Sequence, residues 1–151
     1  MKQKTVVIVS GGFDPIHSGH IAYFNAAKAL GDILVVGLNS DDWLRRKKGK
    51  EFLPFQERSD IISELRMVNI VSDFNDDDNT ASDLIRIVLN MFPGNYHIIF
   101  ANGGDRTAVN IPEMDAVEDP RLKFVFGVGG EDKKNSSSWI LKRWEKDSFA
   151  S

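Results

Sequence analysis

Two histidines three residues apart, His17 and His20, lie in the segment Gly11-Gly12-Phe13-Asp14-Pro15-Ile16-His17-Ser18-Gly19-His20. Their spacing puts both imidazoles on one side of a first helical turn. There each ring can donate a hydrogen bond to a phosphate oxygen. The helix start adds unpaired N–H groups and a partial positive charge, which together favour an anion. Glycines at 11, 12 and 19 let backbone N–H groups approach such a ligand without a Cβ in the way. Other chemistries fit the segment less well. No Gly-Lys-Ser/Thr follows the glycines, so this is not a Walker A loop, and the third glycine of a dinucleotide fingerprint is missing. Zinc wants a third strong ligand. The chain has no cysteine, and its remaining histidine, His97, opens a strand far along the sequence. No protein-held metal is expected.

The elements around this segment are those that would hold it at the edge of a parallel sheet. Thr5 to Val9 is a β-branched run ending at Ser10-Gly11-Gly12, which reads as a buried strand. Ser18 to Leu30 follows a helical period, with Ile21, Phe24, Ala27 and Leu30 on one face and Gly31 as its stop. Ile33 to Leu38 is a second strand, and Pro54 fits the first turn of a helix carrying Ile61, Ile62 and Leu65. Val68 to Val71 is expected as a short third strand. A strongly periodic helix follows, with Leu84, Ile85, Val88, Leu89 and Phe92. His97 to Ala101 and Leu122 to Val128 read as the fourth and fifth strands, and a last helix begins near Trp139. Alternating strands and helices imply an α/β fold: a Rossmann-like, doubly wound, five-stranded parallel sheet with helices on both faces. The 151 residues read as one domain, 1–151, with no repeat and no linker. Ligands of such sheets bind outside the carboxyl ends of the strands, where strand order reverses.

Composition narrows the class. The net charge of −3 argues against a general nucleic-acid binder, and no apolar run approaches the roughly 20 residues of a membrane helix. The absence of cysteine and of a secretory signal leads to the expectation of a cytoplasmic protein. Basic residues concentrate in Arg45-Arg46-Lys47-Lys48-Gly49-Lys50, where lysines on a flexible loop would suit a polyphosphate. Asp76-Asp77-Asp78 fails the EF-hand pattern, because glycine is required where Asp78 stands, and reads as a solvated loop leading into a helix.

His17-Ser18-Gly19-His20 resembles the HxGH signature of the nucleotidyltransferase superfamily, which is cytidylyltransferase-like. The resemblance runs through nearly the whole chain. Gly31 to Asp41 is similar to the second strand of the ADP-heptose synthase and glycerol-3-phosphate cytidylyltransferase group. Lys48 and Lys50, followed by Phe55-Gln56-Glu57-Arg58, resemble that group's lysine segment and Glu-x-Arg helix. Arg66 falls where the group carries an arginine reaching the triphosphate. Asn102-Gly103-Gly104-Asp105 resembles the Lys-Gly-Gly-Asp of the heptose enzymes, and Ser136-Ser137-Ser138 the group's terminal Ser-Thr-Thr. Serines at a helix start can also cap it and meet phosphate.

The resemblance implies transfer of a nucleoside monophosphate from a nucleoside triphosphate to a small phosphorylated sugar or polyol, with release of pyrophosphate. It implies His17, His20, Lys48 and Arg66 as the residues that stabilise charge in the reaction. Gly11, Gly12, Phe13, Asp14, Gly19, Lys50, Asn102, Gly103, Asp105 and the three serines would bind nucleotide. Asp14, Asp105 and Arg106 would meet the acceptor. Mg²⁺ would accompany the triphosphate, and a homodimer is expected because the resembling enzymes are commonly dimers. The cytidylyltransferases carry Arg-Thr-x-Gly-Ile before their Ser-Thr-Thr, whereas this chain has Glu131-Asp132-Lys133-Lys134-Asn135. The heptose enzymes lack that arginine too, which favours ATP over CTP. The alternatives are a cytidylyltransferase acting on glycerol 3-phosphate or a similar alcohol phosphate, and a nucleotide-binding sensor without catalysis.

Overall fold

A computed structural model describes residues 3–104, 111–129 and 140–145. Five strands, β1 (Lys4–Gly11), β2 (Ile33–Leu38), β3 (Ile70–Ser72), β4 (Tyr96–Gly103) and β5 (Leu122–Val128), form one sheet in the order β3-β2-β1-β4-β5. Every neighbouring pair is parallel. The helices are α1 (Ser18–Lys28), α2 (Asp41–Lys48), α3 (Phe55–Ser63), α4 (Ser82–Met91) and α5 (Glu113–Ala116). Residues 140–145 are helical as well.

Strand alternation divides the core into two layers. Val6, Ile8 and Val35 face Leu84, Ile85, Val88 and Leu89 of α4. Val7, Val9, Leu34, Val36 and Leu38 face Phe24 and Ala27 of α1 and Ile62 of α3. A strand buried on both faces has no polar side to show, which is why β1 and β2 are apolar runs rather than alternating ones. The expected doubly wound fold is therefore present. Three positions expected on apolar faces are exposed instead, Ile21 of α1 at 37% among them. Leu30 lies past the end of α1 and is 40% exposed, and Ile61, outside the buried stripe of Arg58 and Ile62 on α3, is 39% exposed.

The sheet runs outward from β1 in two directions, first through β2 and β3, then through β4 and β5. Strand order thus reverses between β1 and β4, and the crevice of the fold opens beyond Gly11 and Gly103.

Candidate functional site

The first loop leaves β1 at Gly11 and reaches α1 through Phe13, whose φ of 50° lies in the left-handed region. That conformation costs a bulky residue roughly 1–2 kcal/mol, so packing must hold it there. The packing is visible: the buried Phe13 ring stands edge-on to Phe24 and to His20, each centroid 4.9 Å away. The glycines beside it are dictated by space. A Cβ on Gly11 would come within 2.9 Å of the Phe13 ring, and one on Gly12 within 2.7 Å of Leu44.

His17 and His20 meet at the start of α1, as their spacing implies. Their rings stack with centroids 3.7 Å apart. His17 caps the helix: its Nδ1 accepts the Gly19 N–H at 3.0 Å, while His20 Nδ1 accepts the His17 N–H at 3.3 Å. This is a reciprocal capping box built from two imidazoles. A ring nitrogen that accepts a backbone N–H carries no proton itself, so each neutral ring bears its proton at Nε2. Burial, helped by repulsion from a charged His17, lowers the His20 pKa from 6.5 to about 3. His20 is thus a neutral N–H donor across the physiological range.

Asp14 is 2% exposed, and its carboxylate accepts the N–H groups of Phe52 and Leu53 at 2.6 and 2.7 Å. It also pairs with Lys48 Nζ at 3.2 Å, and the same ammonium donates to the Asp14 carbonyl at 2.6 Å. Lys48 therefore ends α2 against the first loop. The basic run is helical as far as Lys48, rather than a flexible loop, and only Lys50 lies beyond the Gly49 cap. Ser40 caps α2, Asp41 and Asp42 occupy its first turn, and four basic residues occupy its last, so every charge suits the helix dipole. Lys50 and Arg66 are exposed, and among the described residues neither is engaged in a salt bridge.

At the other side of the crevice, Asn102 and Gly103 end β4. Asn102 is 3% exposed, and the Tyr23 hydroxyl of α1 donates to the Ala101 carbonyl at 2.6 Å. A Cβ on Gly103 would touch the Tyr23 ring, so this tyrosine seals α1 to the end of β4. Asp105, Arg106, Ser136, Ser137 and Ser138 lie outside the described residues.

Two residues important to this architecture carry no role in the reading of the sequence. Arg58 is 1% exposed and donates to the carbonyls of Leu53, Gly12 and Asn39, each at 2.9 Å, and to Asp41 at 2.7 Å. One guanidinium thereby ties the loops after β1 and β2 to the segment before α3. Its signal was its spacing, four residues before Ile62 on the buried stripe of α3. Asp76, the first of the three consecutive aspartates, is 2% exposed rather than solvated.

Fold and site define the class: a doubly wound α/β protein with a stacked histidine pair at the N-terminus of the helix that follows the first strand. The cytidylyltransferase-like family matches residues 8–119, and the chain belongs to that family. It is 37% identical over 147 residues to the bifunctional protein HldE of Syntrophotalea carbinolica, a match covering 95% of this chain and 28% of that protein. The HldE of Wolinella succinogenes is 35% identical over 144 residues, covering 93% of this chain and 27% of that one. The chain thus spans little more than a quarter of these curated relatives. Among solved structures, the lipopolysaccharide core biosynthesis protein from Thermoplasma volcanium is similar with a TM-score of 0.60 at 26% identity, covering 82% of this chain and 95% of that one. The bifunctional NMN adenylyltransferase/ADP ribose pyrophosphatase from Francisella tularensis shares the fold, with a TM-score of 0.64 at 14% identity over 96% of this chain and 43% of that one.

Proposed function

We propose that the protein transfers a nucleoside monophosphate from a nucleoside triphosphate, ATP in preference to CTP, to a small phosphorylated sugar or polyol. The observation that carries the reading is the His17–His20 pair, whose Nδ1 atoms are both occupied by backbone N–H groups at the head of α1. An oxygen of the acceptor's phosphate attacks the α-phosphorus in line. A new P–O bond forms, the α–β P–O bond breaks, and pyrophosphate leaves with the electron pair. Such a reaction asks the protein for positioning and for stabilisation of charge on phosphate oxygens, rather than for a nucleophile. His17 and His20 donate from Nε2, and the α1 N-terminus adds its dipole. Lys48, Lys50 and Arg66 neutralise the leaving pyrophosphate. Gly11, Gly12, Gly19, Asn102, Gly103, Asp105 and the serines from Ser136 to Ser138 enclose the nucleotide, with Phe13 backing His20. Asp14 and Arg106 border the acceptor.

No group of three His, Asp or Glu residues gathers to hold a metal among the described residues. Mg²⁺ would accompany the triphosphate as part of the substrate and would supply charge neutralisation there. A homodimer in the cytoplasm completes the proposal, and sedimentation velocity tests its first part.

Pyrophosphate release from ATP or CTP with Mg²⁺ and a panel of sugar and polyol phosphates tests the activity. Substituting His17→Ala or His20→Ala is expected to lower turnover by about a hundredfold or more. Unchanged turnover in both variants would overturn the mechanism. Tight nucleotide binding with no pyrophosphate from any acceptor would favour the sensor reading instead.

A further inference from the structure

The three consecutive aspartates have no part in the reaction proposed above, yet the structure sets one of them apart. Asp77 and Asp78 are exposed, whereas Asp76 is buried beside the start of α2. Its Oδ2 accepts the Ser40 N–H at 2.8 Å and the Asn39 amide at 3.0 Å, and its Oδ1 accepts the Ser40 hydroxyl at 2.8 Å. Because the Ser40 hydroxyl gives its proton to Asp76, its lone pairs are free to accept the Trp43 N–H, which they do at 3.0 Å. The carboxylate thus orients the cap of α2. The same loop grips the helix again further along, where Arg46 donates to the Asp76 carbonyl at 2.8 Å and to Asn79 at 3.1 Å.

We propose that Asp76 is a positioning residue for the phosphate site, fixing through Ser40 and Arg46 where the basic last turn of α2 stands. Two features of α2 support this. It is eight residues long and buries only Leu44, and helices much shorter than ~12 residues do not stand on their own propensity. Its place is therefore set by what holds its ends, namely Asp76 on Ser40 and Arg58 on Asp41 at the start and the Lys48–Asp14 contact at the finish. A charged form suits this duty. Burial alone would raise the Asp76 pKa, but hydrogen bonds from Asn39 and Ser40 and the charge of Arg46 outweigh it and hold the group below the usual carboxylate range. For what α2 then binds, the proposal rests on the nucleotidyl-transfer reading; the placement of the helix does not.

The test uses the Trp139→Phe/Trp144→Phe protein, in which Trp43 on α2 is the only tryptophan left. Asp76→Asn keeps the volume and removes the charge and one acceptor; Asp77→Asn is the surface control. In Asp76→Asn without ligand, Trp43 emission is expected to shift to the red. The KM for the nucleoside triphosphate should rise about tenfold, the scale of one lost hydrogen bond to a charged group, with kcat within about threefold. Asp77→Asn should match the parent in both. A purely structural role would lower the urea midpoint while leaving Trp43 emission and KM as in the parent, and that result would overturn the proposal. A Trp43 shift with unchanged KM would refute the link to the phosphate site. If the parent neither binds nor turns over ATP or CTP, the nucleotidyl-transfer reading fails, while Trp43 emission still decides whether Asp76 places α2.

Discussion

At the scale of single residues, the histidine pair makes a pH argument with a definite sign. His20 has a folded pKa of about 3, against 6.5 for the free side chain, because its ring is buried and faces His17. Between those values the unfolded chain binds the proton and the folded chain does not. Stability must then rise with pH through this window, being fully present above about 6.5 and lost as pH falls towards 3. Urea midpoints measured from pH 4.5 to 7.5 should fall on the acid side for the wild type. Replacing His20→Asn, which retains an acceptor for the His17 N–H, should flatten that limb; an unchanged slope would show that other groups cause it. The pair itself was legible, since i, i+3 spacing after a strand and glycines leaves few other arrangements. Asp76 was not, because nothing in a run of three aspartates marks which one turns inward. The selection is made by Ser40, 36 residues earlier in the chain.

Among the elements, α2 and the loops around it depend on Arg58 more than on apolar contact. The guanidinium satisfies three carbonyls, Asn39's buried and those of Gly12 and Leu53 part-buried, and one carboxylate at once, and no apolar side chain can replace those donors. Arg58→Met is expected to cost about 3 kcal/mol, since it leaves the buried Asn39 carbonyl without a donor and takes the cation from Asp41. Arg58→Lys should recover only part of this, because one ammonium cannot reproduce the planar fork. Urea unfolding with a check on the m-value measures both. A loss below about 1 kcal/mol in Arg58→Met would mean that the loops hold themselves. The long helices were legible from their periods: α4 buries Leu84, Ile85, Val88 and Leu89, as their spacing implies. The basic stretch was not seen as a helix, because with only Leu44 buried it has almost no apolar period to read. Capping and dipole signals were present in Ser40, Asp41 and Asp42, and they outweigh hydrophobic pattern in a helix this short.

At the scale of the whole molecule, the two-layered core follows from sequence because Val6 to Val9 of β1 and all of β2 are apolar without alternation, which only a sheet covered on both faces accommodates. Strand order is less legible, since pattern alone does not say on which side of β1 the chain returns. The close fit of the layers is open to measurement at Gly37 of β2, where an added Cβ would run into the Leu84 side chain of α4. Gly37→Ala should destabilise by about 1–3 kcal/mol through overpacking. Leu84→Ala, at a fully buried position, should cost about 2–5 kcal/mol through the cavity it opens. In the double variant, the new methyl group enters the space that Leu84 vacates. The combined loss should therefore fall short of the sum by about 1 kcal/mol or more. Strict additivity would mean that α4 does not press on β2 at Gly37. A shortfall would locate the contact that sets how close α4 lies to the strand leading into Asn39 and Ser40, and so to the capped end of α2.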